Sequence, residues 1–208
     1  LREGGRGYDI VVPSDYAVGL LIGSGLLQPL NHAAIQNMVN IASTLENPPF
    51  DPGNQFSVPY QWGTIGIGYN QNRTGEITSW QQVFDYAGPV AWLNDQRIMM
   101  DIALKMLGFA PNSDNPEELA AARDFLIAHS NNVLAIADDD GQALLSAGYV
   151  DIVVEYSGDI FQVIFECECD DFVYTIPQEG ALLWTDNLVI PADAPNPALA
   201  HAFIDYIL

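Results

Sequence analysis

Tyr8-Asp9-Ile10-Val11-Val12-Pro13-Ser14-Asp15-Tyr16 is the stretch on which the fold turns. Its first half is an apolar, β-branched run that reads as a buried strand ending at Pro13. Ser14 is a helix-capping residue type, and the apolar spacing beyond it predicts a helix running to about Leu27. Strand followed directly by helix is the unit of α/β folds, whose ligands gather where a strand's C-terminal end meets the next helix. Ser14 and Tyr16 fall at that junction and are candidate ligand contacts.

The same alternation recurs downstream. A helix is expected near Ala33 to Ile41, a turn-rich loop over Asn47 to Asn54, and a long strand from Ser57 to Asn70. Gly63, Gly66 and Gly68 inside that strand mark a bend or a close approach. Thr78 or Ser79 caps a short helix through Phe84. Pro89 to Leu93 is a strand leading through Asp95 into a helix to Leu107. Asn115-Pro116-Glu117-Glu118 carries a cap, a first-turn proline and acids at the positive helix end, and starts a helix to His129. Gly141 to Ala147 is a helix, Asp151 to Glu155 a strand, and Tyr156-Ser157-Gly158-Asp159 opens another helix. Phe172 to Ile176 is a strand, and Asn196-Pro197 begins the final helix. The expected fold class is α/β.

Trp184-Thr185-Asp186-Asn187-Leu188-Val189-Ile190, closed by Pro191, is the most suggestive strand. Residues i and i+2 of an extended chain project to one side, so Trp184 and Asp186 can approach one ligand. A π-face beside a carboxylate suits an organic cation. The bland alternative is a core tryptophan and a turn aspartate. Four junctions repeat the theme: Ser14/Tyr16, Asp95, Tyr156/Asp159 and Trp184/Asp186.

Composition narrows the classes. The 208 residues hold 27 acidic against 6 basic side chains, a formal charge of −21. Nucleic-acid binding needs Lys and Arg to neutralise phosphates and is not expected. About half the chain is hydrophobic, too much for a disordered acidic tail. No apolar run reaches the length of a membrane span. Cys167 and Cys169, one residue apart, make no four-ligand zinc site; a bridge across one residue is strained, so free thiols are the expectation. His32, His129 and His201 are scattered and expected on the surface. Asp138-Asp139-Asp140-Gly141 begins like a calcium loop, but Ala147 stands where the loop needs Glu, and a solvated loop is expected. The motifs G-x-x-x-x-G-K-S/T, G-x-S-x-G and H-E-x-x-H are missing, and Gln71 breaks the dinucleotide fingerprint begun by Gly66 and Gly68. No enzyme, metal or cofactor is expected.

The segments YDIVVPSDY (Tyr8 to Tyr16), PFDPGNQFSVPYQWGTIGIGYN (Pro49 to Asn70), TSW (Thr78 to Trp80), VVEYSGDIF (Val153 to Phe161) and PQEGALLWTDNLVIP (Pro177 to Pro191) occur in one order along nearly the whole chain. In them the chain resembles the periplasmic polyamine-binding proteins, the spermidine/putrescine receptors of ABC importers. The resemblance implies a type II periplasmic-binding fold of two α/β lobes joined by a hinge and closing on the ligand. Residues 1–66 would belong to lobe 1, 67–181 to lobe 2, and 182–208 to the return into lobe 1. It implies a fragment, with further residues at both ends that carry more of the ligand contacts. It also implies a monomeric receptor, periplasmic or otherwise extracytoplasmic and in some members lipid-anchored, that meets an ABC permease.

Carried over by position, Ser14 and Tyr16 match first-lobe contacts, Asp95 a second-lobe acid, Asp159 the acid of the YSGD turn, and Trp184 and Asp186 the aromatic wall and amine-holding carboxylate. Two departures stand out. Tyr156 replaces a usual tryptophan, and Ile98 replaces the glutamate that spermidine receptors carry three residues after the acid, so the choice of amine stays open. Rival readings are the same fold taking another small cationic or amino-acid-like solute, and a sensor without a transport role.

Overall fold

A strand at the centre of the sheet explains most of the architecture. In the computed structural model, which describes residues 7–138, 140–167 and 170–208, β1 spans Ser57–Asn70 as its sequence predicts. The further strands are β2 (Val90–Leu93), β3 (Val133–Ala137), β4 (Ile152–Tyr156), β5 (Phe172–Thr175) and β6 (Leu182–Val189). They make one mixed sheet of order β3-β2-β4-β1-β5, with β6 pairing β1 off that path. β2 lies parallel to both β3 and β4, whereas β1 runs antiparallel to β4 and β5. The helices are α1 (Asp15–Gly23), α2 (Gln71–Thr74), α3 (Trp80–Asp85), α4 (Gln96–Met106), α5 (Pro116–Ala128), α6 (Gly141–Ser146), α7 (Ser157–Cys167) and α8 (Pro197–Ile207).

The chain divides into two units, Leu1–Trp62 with Trp184–Leu208, and Gly63–Leu183. It passes from one to the other within β1 and returns within β6.

The Gly63–Leu183 unit holds the parallel strands. β4 is buried along its first four residues, which is why Ile152-Val153-Val154 reads as an unbroken apolar run rather than an alternating one. The glycines of β1 are sites of close approach: a β-carbon at Gly66 would lie 2.6 Å from the Tyr174 hydroxyl and 2.7 Å from the Thr175 carbonyl, and one at Gly68 would meet Ile160 of α7 at 2.6 Å. Ile160 can then pack with Ala91, Leu145, Val150 and Val153 in one core cluster. The caps behave as their residue types predict. Ser79 accepts from the Gln82 amide, Asp95 from Arg97 and Ile98, and Asn115 from Glu117.

Outside the core of this unit, Tyr86 donates to Asp151 Oδ2 at 2.9 Å, while Arg73 holds Asp151 Oδ1, also at 2.9 Å. Burial and the bond to Asp151 push the Tyr86 phenol from 10.0 up to about 12. Its folded-state pKa lies above the unfolded one, so the stabilisation is complete below pH 10 and is lost as pH rises towards 12. Tyr86→Phe is expected to lower stability by about 1–2 kcal/mol below pH 10, with the gap to wild type closing between pH 10 and 12. Denaturant melts across pH 8–12 measure the gap; a constant one would show that the phenol bond contributes nothing.

The other unit packs α8 and two short 3-10 turns, His32–Ala34 and Gln36–Asn40, around Val58, Leu188, Ile190, Ala200 and Ile204. Val18 of α1 packs with Leu27 and Val189.

Several sequence expectations need correction. Residues 8–13 form no ladder but a single bridge to β6, Val11 to Val189, followed by another at Ser14 to Asp186; Pro13 has no N–H and offers only its carbonyl, to Asn187. The first helix ends at Gly23, not Leu27, because Gly25 at φ +66 turns the chain and the Leu26 amide closes back on Leu21. The helix expected over Ala33 to Ile41 is the pair of 3-10 turns, broken at Ile35. β3 and α2 were not anticipated. His201 is buried, not on the surface: it is 8% exposed, its Nδ1 bonds the Pro197 carbonyl, and its Nε2 accepts from the Asn31 amide at 2.8 Å. Cys167 is disulfide-bonded rather than free, at the last residue of α7 where the chain is released from helical geometry. Cys169 lies outside the described residues, as does Asp139 of the Asp138–Gly141 run.

Candidate functional site

Two sets of candidate residues emerge, one in each unit. In the first, Ser14 stands at the N-cap of α1, yet its side chain makes no capping bond. Its hydroxyl instead donates to Asp186 Oδ1 at 2.7 Å, across 172 positions of sequence. A capping serine typically contributes about 1 kcal/mol to its helix. Here that contribution is given up to orient a carboxylate.

Asp186 sits on β6, so Trp184, two residues earlier on the same strand, projects to the same side. Both side chains are half-buried, with Thr185 and Asn187 buried between and beyond them. The result is a ring and a fixed carboxylate on one strand face. Tyr16, in the first turn of α1, is 51% exposed. Its amide is held by the Asp15 carboxylate, which keeps the turn closed in place of the serine cap.

In the second set, β3, β2 and β4 run parallel, so their C-terminal ends share one edge of the sheet. Asp95 follows β2, and Tyr156 and Asp159 span the junction of β4 with α7. This is the edge at which open α/β sheets hold ligands. Asp95 Oδ1 is engaged as the cap of α4, at 2.9 and 3.1 Å from two amides. Ile98, one of those amide donors, puts an apolar side chain on the same first turn. Asp159 lies in the first turn of α7, beside the positive end of the helix.

Two features of this edge were missed by sequence reasoning. The first is Asp138, directly after β3, which accepts from Asn94 Nδ2 at 2.7 Å; the sequence placed it in a solvated loop because β3 itself was not anticipated. The second is a hydrogen-bonded group behind Ser157. The Thr64 amide donates to Ser157 Oγ at 3.2 Å, and Thr64 Oγ1 shares a 2.7 Å bond with the Tyr174 hydroxyl. Burial raises the Tyr174 phenol above its usual 10.0. The signal in the sequence was Gly66, whose missing side chain is the space the Tyr174 ring occupies.

Among the described residues, no group of His, Cys, Asp and Glu has the arrangement of a metal site, and no helix is long and apolar enough to cross a membrane. The chemistry on offer is carboxylates, phenols and an indole, suited to holding a solute.

Comparison with known proteins agrees with this inventory. The chain is 33% identical over 205 residues to the spermidine/putrescine-binding periplasmic protein of Escherichia coli, an alignment that covers 97% of this chain and 58% of that protein. It is 33% identical over 228 residues to a putrescine-binding periplasmic protein of Pseudomonas aeruginosa, covering all of this chain and 62% of the relative. The chain therefore spans about three-fifths of the length of these relatives. Among solved structures, the substrate-binding protein of a spermidine/putrescine ABC transporter from Streptococcus pneumoniae superposes with a TM-score of 0.85 at 33% identity, over 99% of this chain and 64% of that one. A Treponema pallidum lipoprotein gives 0.90 at 30% identity, over 98% and 66%. The fold is thus the α/β fold of the periplasmic binding proteins. These relatives are named for binding, not catalysis. The family model for bacterial extracellular solute-binding proteins matches residues 3–208, the stretch that holds every junction described above, and the chain belongs to that family.

Proposed function

We propose that the protein is an extracytoplasmic receptor for a polyamine, putrescine or spermidine, which it delivers as a monomer to the permease of an ABC importer. The observation that carries the reading is Asp186, half-buried, fixed by the Ser14 hydroxyl and accompanied on its strand face by Trp184. A partly buried ammonium is costly, by several kcal/mol, unless a carboxylate pairs with it. An aromatic face adds roughly 0.5–2 kcal/mol.

In this reading Asp186 pairs with an ammonium group, Trp184 and Tyr16 supply aromatic surface, and Ser14 holds the carboxylate in place. Tyr156 and Asp159 provide a second ring and acid, and Asp95 a further acid whose Oδ2 is not used in capping. Relatives named for putrescine and spermidine support the choice of ligand class. The net charge of −21 favours a cationic solute and disfavours nucleic acid.

Calorimetric titration with putrescine and with spermidine tests the proposal. Saturable one-to-one binding of at least one of them is expected. Silence with both, together with heat from an amino acid or another small solute, would replace the polyamine by that solute.

A further inference from the structure

We propose that Tyr174 and Ser157 form a positioning pair for ligand recognition, fixing the turn that presents Tyr156 and Asp159. The inference takes its ligand from the polyamine reading and goes beyond it in assigning a role to two residues that need not touch the solute.

The pair is built by three features. Gly66 leaves the face of β1 open, and the Tyr174 ring lies across it, its hydroxyl 2.6 Å from where a β-carbon would sit. That hydroxyl bonds Thr64 Oγ1 at 2.7 Å, and Ser157 Oγ accepts the Thr64 amide at 3.2 Å, so Thr64 links Tyr174 to the start of α7. The ring packs against Phe161 one turn further along α7, with centroids 5.3 Å apart. Ser157 is the first residue of α7, directly after Tyr156 and two before Asp159. The helix start is therefore held from below at two points, by a hydrogen bond at Ser157 and by ring contact at Phe161. A ligand-facing turn with neither would sample several arrangements of its acid and its ring, and binding would have to select one. Gly66 carries the entropic cost of a glycine in a strand, and admission of Tyr174 accounts for it.

Tyr174→Phe keeps the ring over Gly66 and removes only the hydroxyl. Affinity for the bound amine is expected to fall about tenfold, the worth of one lost hydrogen bond. In the ligand-free protein, amide exchange over residues 157–161 is expected to speed up. Ser157→Ala should repeat both effects, and Ser157→Thr, which keeps a hydroxyl, should recover most of the loss.

A double variant with Asp159→Asn separates positioning from general stability. Coupled residues are non-additive, so Tyr174→Phe should add little once the Asp159 charge is gone, yet should add fully to Asp186→Asn in the other unit. Wild-type affinity and unchanged exchange in Tyr174→Phe would overturn the positioning role and leave the polyamine reading intact. Full additivity with Asp159→Asn would reduce Tyr174 to a structural residue. A wild-type protein that binds neither amine would overturn the amine reading, and the recognition role with it.

Discussion

Asp186→Asn is expected to weaken polyamine binding by about 30- to 1,000-fold, or roughly 2–4 kcal/mol, while the fold survives. The substitution is nearly isosteric. Asparagine still offers Oδ1 to the Ser14 hydroxyl, so the 2.7 Å bond and the bridge between Ser14 and Asp186 have no reason to break. What changes is the second oxygen, which becomes an amide donor facing the ammonium it is proposed to pair. The cation then keeps the Trp184 face but loses its counter-charge, and a half-buried site cannot replace that with bulk water. Ser14→Ala is expected to act in the same direction and less strongly, about tenfold, because the carboxylate remains but is no longer oriented. Calorimetry gives the affinities, and a thermal midpoint close to wild type shows that the fold is retained. Unchanged affinity in Asp186→Asn would remove Asp186 from the site.

The Ser14–Asp186 pair also shows where sequence reading stops. Both residues stand out by type and position, Ser14 at a helix start and Asp186 two residues from a tryptophan on a strand. That one grips the other depends on contact between positions 172 apart. Local signals worked where the decisive chemistry was local. The caps at Ser79, Asp95 and Asn115 and the glycine-bearing strand β1 follow from residue type alone.

The failures share a cause. β3 has an apolar sequence whose Leu134 and Ile136 lie exposed, so its strand character comes from pairing with β2 rather than from amphipathic spacing. His201 is buried because a distant amide at Asn31 requires an acceptor. Asp95 reads in the sequence as a junction acid, and the structure shows its Oδ1 capping α4. Ile98 is read directly from the chain, and it leaves the first turn of α4 without a second acid.

The largest expected effect on stability lies away from the candidate ligand residues. Asp51 is 2% exposed, and its carboxylate gathers the start of β1. Oδ1 accepts the Gln55 amide at 3.0 Å, and Oδ2 accepts the amides of Phe56 and Ser57 and the Ser57 hydroxyl at 3.0, 2.8 and 2.7 Å. Alanine here leaves three backbone N–H groups and a hydroxyl without their acceptor, each carrying a desolvation penalty of about 1–3 kcal/mol when buried. Partial relaxation and water entry reduce the sum, and a net loss of about 3–5 kcal/mol is expected. For a chain of this size that is a fall of roughly 10 °C or more in the thermal midpoint. Asp51→Asn should lose less, since one oxygen remains, but its amide would face a backbone donor and cannot restore the full set. Asp193→Ala, at an exposed position, should be near neutral and serves as the control. A midpoint for Asp51→Ala within 2–3 °C of wild type, on the order of 1 kcal/mol, would mean that solvent satisfies these donors. The buried carboxylate would then not be what holds the entry to β1.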